Sequence, residues 1–274
     1  QNPDMFPSTP GNEVPGAIAY VDPNFKMPQV WRSNVNAEFQ LPYGFMLSVG
    51  AMYTRDIYNV VQKNMNEKAP SGTYNEQPGR VYWTKNNYYD NPKTKTVIQL
   101  TNGDEKGYQY SFNAVLTKKF DFGFTGSFGY TYTMAKDMTA NPGSSAASVW
   151  QNNVAVNSLN DPGVSYSLFS TPHRLIANAS YEVAYANMKT TVSLFYTGYQ
   201  QGRFSYTYSN DMNGDGNYSD LMYVPASKEE MTFVDIKDKQ NNVTYSAVDQ
   251  QEDFWNYVNN DSYLNDHKGQ YVER

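Results

Sequence analysis

WRSNVNAEFQLPYGFMLSVGAMYT, residues 31–54, alternates with unusual strictness. From Trp31 to Leu41 one parity carries Trp31, Ser33, Val35, Ala37, Phe39 and Leu41, while the other carries Arg32, Asn34, Asn36, Glu38 and Gln40. A period of two with that separation describes a strand with one apolar and one polar face. Pro42-Tyr43-Gly44 reverses the chain, and Phe45, Leu47, Val49, Ala51 and Tyr53 then repeat the pattern against Met46, Ser48, Gly50, Met52 and Thr54. The stretch predicts an antiparallel hairpin.

Working outward, the pattern recurs twice. Tyr108, Tyr110, Phe112, Ala114 and Leu116 lead through a tight turn near 118–121 to Phe122, Phe124, Phe128, Tyr130 and Tyr132. Leu175, Ala177, Ala179 and Tyr181 lead through 183–187 to Met188, Val192, Leu194 and Tyr196. Six strands are predicted, at about 30–41, 45–64, 96–118, 121–136, 172–182 and 188–208. The remainder, 209–274, reads as a long loop region with a short helix at about 247–259. Ser246 with Asp249 resembles a capping box, and Val248, Phe254, Trp255 and Val258 give a helical stripe. In that helix Trp255 or Tyr257 could meet a ligand, although docking onto neighbouring loops is the simpler role.

Composition supports an all-β reading. The 274 residues include 25 Tyr and 14 Phe but only 10 Leu, the reverse of a helical bundle. No run of about 18 apolar residues exists for a spanning helix, and a mean hydropathy of -0.70 is polar. A membrane β-barrel escapes both tests, because only alternate strand residues need be apolar. Net charge of -6 without a Lys/Arg block excludes a nucleic-acid partner. The absence of cysteine removes disulfides, thiol nucleophiles and Cys-ligated zinc. The start at Gln1 shows no signal-peptide pattern.

The links sort by length. Those inside each pair are short, whereas those between pairs, roughly 65–95 and 137–171, are long and rich in Asn, Gly and Pro. Short turns at one end and long loops at the other are the habit of outer-membrane barrels. Aromatic residues flank the short turns (Tyr43, Phe45, Phe120, Phe122, Tyr181, Tyr185), and a second set on the apolar parity (Trp31, Tyr53, Tyr110, Tyr132, Tyr196) lies eight to ten residues away. Tilted strands rise roughly 20 to 25 Å over that distance, which matches the apolar band between two aromatic girdles. The competing architecture is a secreted or surface β-sandwich that binds glycans or mediates adhesion. In a sandwich, Val35, Val49, Phe112 and Phe128 would pack against a second sheet.

Several segments resemble TonB-dependent outer-membrane receptors of the Oar-like group, whose N-terminal part carries a carboxypeptidase-regulatory-like domain and a plug. They are VDPNFKMPQ (21–29), LPYG (41–44), TPHR (171–174), DMNGDG (211–216), DLMYVP (220–225) and GQYVER (269–274). The resemblance implies antiparallel up-and-down strands forming part of a 22-stranded transmembrane β-barrel in a Gram-negative outer membrane. It implies TonB, a plug domain and the lipid bilayer as partners, leaves a surface lipoprotein partner open, and implies nutrient uptake as the function. No plug and no TonB box occur in these residues, so the chain corresponds to an internal portion of such a receptor, and the nutrient is unspecified.

Candidate chemistry is sparse. Asp211, Asn213, Asp215 and Asn217, with Gly216 at the sixth position, match the first half of an EF-hand-type calcium loop, and Asp220 could replace the missing closing glutamate. A structural calcium is the one cofactor the sequence suggests, the alternative being a loop held by its own side chains. His173 and His267 have no companion ligands, and no nucleophile elbow or phosphate loop occurs, so no enzyme is expected. Arg32, Asn34, Glu38, Asn113, Arg174, Asn178 and Glu182 lie on the polar parity and are expected to face a barrel lumen.

Overall fold

A computed structural model describes residues 16–84, 88–89 and 96–273. Its chain order is β1 (Ala17–Val21), β2 (Gln29–Leu41), β3 (Phe45–Tyr58), β4 (Val61–Asn64), β5 (Gly72–Thr73), β6 (Val81–Tyr82), β7 (Thr96–Thr101), β8 (Tyr108–Lys119), β9 (Phe124–Asp137), α1 (Ala146–Gln151), β10 (Ser165–Tyr166), β11 (His173–Tyr185) and β12 (Met188–Tyr199). Then come β13 (Tyr223–Val224), β14 (Ile236–Lys237), β15 (Val243–Tyr245), α2 (Ala247–Asn260), α3 (Ser262–Asp266) and β16 (Gln270–Tyr271).

Six long strands form one antiparallel sheet in the order β12-β11-β9-β8-β3-β2, with β10 added beside β9. The register joins residues of one parity into rows. One runs Ala37, Val49, Ala114, Tyr130, Leu175, Gly198, and the next Phe39, Leu47, Leu116, Phe128, Ala177, Tyr196. These rows make an apolar face left open among the described residues: Val35 is 73 % exposed, Phe128 53 % and Leu194 72 %. A sandwich would bury such residues between its two sheets; among the described residues no second sheet does so.

Burial is concentrated instead beyond the loop ends of the strands. A three-stranded sheet, β1-β7-β4, lies there with α1. Ile98, Trp150, Ala155 and Leu159 form one core and Leu221, Met222, Val224, Val258, Leu264 and Val272 a second, onto which Phe254 and Trp255 of α2 pack. The long connections are therefore a folded layer with its own apolar interior, which explains why residues so rich in Asn and Gly hold one conformation.

Three expected strands end elsewhere. The 45–64 segment breaks after Tyr58, because Asn59 turns its amide to Gly103 N–H and Glu105 O (3.0 Å each), and β4 joins the loop layer. The 96–118 segment is two strands in different sheets. Gly103 lies at the break, where an added Cβ would collide with Met138 and crowd Asn59 and Val61. The 188–208 strand stops at Tyr199, because Gln200-Gln201-Gly202 ends the alternation and Gln200 N–H makes the last ladder bond, to His173 O (2.9 Å). Boundaries move slightly for the 121–136 and 172–182 strands, observed as Phe124–Asp137 and His173–Tyr185.

The short links are tight reversals. Tyr43 (φ 63) and Gly44 (φ 75) turn β2 into β3, and Ala186 (φ 50) turns β11 into β12. The helix anticipated at 247–259 spans Ala247–Asn260, with Ser246 accepting the Asp249 N–H at 3.1 Å.

Candidate functional site

The polar face of the long sheet mixes amides, hydroxyls and both signs of charge. Arg32 Nε donates to Thr54 Oγ1 at 3.1 Å, and Lys189 pairs with Glu182 at 2.9 Å across the last hairpin. Asn36, Gly50 and Asn113 share a row, and a Cβ on Gly50 would lie 2.8 Å from Asn113 Nδ2, so glycine there lets two amide side chains approach over the backbone. Asn34 pairs in register with Met52, Glu38 with Ser48, Arg174 with Thr131 and Asn178 with Ser127. The seven polar residues singled out from sequence thus lie on one face, Asn113 and Arg174 in one row on either side of Thr131 and the others in rows of their own, without converging on a point.

The loop 211–220 buries Asn213, Asp215, Asn217 and Asp220 in the loop layer and exposes Tyr218. Asp211 accepts Gly214 N–H (2.7 Å) and Gly216 N–H (2.9 Å), Asn213 accepts Asp215 N–H (2.9 Å), and Asp215 accepts Asn217 N–H (2.7 Å). Asp220 accepts Met212 N–H at 2.9 Å and meets Arg80 at 3.4 Å. The side chains therefore hold the turn through their own backbone amides. Among the described residues no group of three or more His, Asp or Glu side chains is arranged around a metal position.

Sequence reasoning missed two members of this cluster. Arg80 is 0 % exposed, donates to Leu221 O and stacks on Tyr208 and Tyr271 at 5.5 and 5.0 Å. Its only advance signal was being the one arginine among the lysines of the 65–95 link. Glu67 accepts Ser158 Oγ at 2.9 Å, while its second oxygen is buried without a partner. Burial pushes the Glu67 carboxyl up to about 7, with Asp215 adding repulsion, and pushes Asp215 up to about 6. Asp220 is raised by burial as well.

A second feature opens beyond Tyr199. Tyr166, Gln200, Gln201, Arg203, Phe204, Tyr206 and Tyr263 line a cleft of about 700 Å³. Arg203 lies 3.7 Å over the Tyr166 ring, and Tyr206 donates to Asp261 Oδ2 at 2.8 Å. The sequence hid this cleft because 200–206 was read as strand. Trp255 packs into the loop core under Lys268 (4.5 Å), whereas Tyr257 is half exposed. His173 bonds Tyr130 Oη at 2.6 Å on the apolar face, and His267 bonds Tyr263 O at 2.7 Å.

An open sheet with one exposed apolar face, a polar reverse and a folded layer at its loop end is built as a membrane wall. The family model of the outer membrane beta barrel domain matches residues 1–202, and the chain belongs to that family. Its place is accordingly the outer membrane. No curated protein and no solved structure matches the chain.

Proposed function

We propose that this chain is part of a TonB-dependent importer, supplying wall strands and extracellular loops of a 22-stranded barrel through which a nutrient enters, with no catalysis in this segment. The observation that carries the reading is the division of labour in the fold, an exposed apolar face, a polar reverse and a folded layer at one end of the sheet; in an importer these would serve as a lipid surface, a lumen wall against a plug and the first contact with the nutrient. The resemblance of 21–29, 171–174 and 211–225 to Oar-like receptors supplies the energised partner. TonB and the plug would act through parts of the receptor outside these residues, and a surface lipoprotein would cover the loops.

The test uses the whole receptor extracted from outer membranes in detergent. Immobilised C-terminal domain of TonB is expected to retain it, and excess soluble TonB domain is expected to release it. Failure to bind, with the receptor folded and heat-modifiable on gels, would overturn the uptake reading and leave the barrel in place.

A further inference from the structure

We propose that the apolar face carries, at its loop end, a site for a phosphorylated lipid: Arg55 and Lys136 hold the phosphate, and the trough over Val35, Val49 and Ala51 holds an acyl chain. The inference rests on the membrane-wall reading above.

The register supplies the first observation. Trp31, Arg55, Tyr108, Lys136 and Tyr166 form one row on the apolar face, one row outside Ser33, Tyr53, Tyr110 and Met134. Arg55 and Lys136 are two strands apart, roughly 10 Å between Cα atoms, and project from the same face at the level of the aromatic girdle. Lys136 rests 4.5 Å over the Tyr166 ring, which fixes its ammonium. Among the described residues neither cation is paired with a carboxylate.

Charge sign is the second observation. The apolar parity of the six long strands contains no Asp or Glu, and its other cation, Lys118, lies at the turn end over Phe45 and Phe120. The polar parity, by contrast, carries Arg32, Arg174 and Lys189 together with Glu38, Asp56 and Glu182. A surface that met hydrocarbon alone has no use for unpaired cations of one sign beside an aromatic belt; an anionic headgroup does. The guanidinium fork of Arg55 suits two phosphate oxygens, and Lys136 adds a point charge.

Shape is the third. Immediately toward the turns from Arg55, small side chains at Ala37, Val49 and Ala51 leave a trough between Val35 and the wall of Tyr53, Tyr110 and Phe112. It comprises a hollow of about 600 Å³ and an adjoining one of about 350 Å³. Phosphate above and acyl chain below fit one lipid molecule lying along the strands.

Native mass spectrometry of the whole receptor with added lipid A and its dephosphorylated form tests this. Wild type is expected to retain lipid A preferentially, and the double variant Arg55→Gln, Lys136→Gln to retain it roughly 30-fold less, as two lost surface cations imply. Val49→Trp, which fills the trough, should weaken both lipids. Equal retention by wild type and double variant, or no preference for the phosphorylated form, would overturn the site. So would displacement by millimolar inorganic phosphate, which would make it a phosphate site and not a lipid site. A nitroxide at position 128, far from the site, reports separately on the wall: if it is shielded from lipid, the membrane reading has failed, and if it is lipid-exposed while the variants bind normally, only the lipid site has.

Discussion

Arg80 and Asp220 are the residues on which the loop layer turns. Removing one member of a buried pair leaves the other charge unmatched, so Arg80→Ala should destabilise the layer by about 3–5 kcal/mol, read by unfolding followed through Trp83, Trp150 and Trp255 fluorescence. Glu67 and Asp215 add a pH dependence of fixed sign. Both carboxyls hold their protons more tightly in the folded chain, at about 7 and about 6, than at their ordinary values of 4.5 and 3.8. Their contribution to the layer's stability is therefore full below about pH 4 and is lost as pH rises through about 6 for Asp215 and about 7 for Glu67, by about 3 kcal/mol for Glu67. Glu67→Gln should flatten the melting temperature between pH 5 and 8; an unchanged slope would contradict the assignment. Glu67 was invisible in the sequence because nothing local marks a buried Glu in a loop, whereas Asp215 belongs to the Asp211–Asp220 spacing, which was legible from its own residues.

At the scale of the element, the two faces of a strand make opposite demands. Val49→Arg or Phe128→Arg, on the apolar face, should cost about 2–4 kcal/mol of assembled barrel, while Asn113→Arg on the reverse should cost far less; heat-modifiable migration of the whole receptor reads the difference. Gly50→Leu should also impair assembly, because its Cβ enters the space where Asn36 and Asn113 meet. The hairpins, their turns and the C-terminal helix could be read from sequence because alternation and capping are local. Unlike the end of 188–208, where Gln200-Gln201-Gly202 breaks the alternation locally, the ends of 45–64 and 96–118 could not. There the chain leaves the wall for the loop layer, and the side chains that divert it, Asn59 and Gly103 with Met138, act across long sequence separations. The aromatic cleft beyond Tyr199 was hidden because 200–206 reads as strand and its other walls, Tyr166 and Tyr263, are distant in the chain.

The whole molecule divides its apolar residues between two jobs, a core inside the loop layer and a coat on the sheet. That coat is what seats the sheet in a bilayer. Single nitroxides at positions 35, 49, 112 and 128, with polar-parity partners at 34 and 113, in the whole receptor reconstituted into liposomes, measure it through collision with oxygen against a water-soluble nickel chelate. Oxygen access without nickel access at the first four positions, and the reverse at 34 and 113, is the expected result. Shielding of 35, 49, 112 and 128 from both probes would mean that they pack against protein, and would contradict a membrane wall.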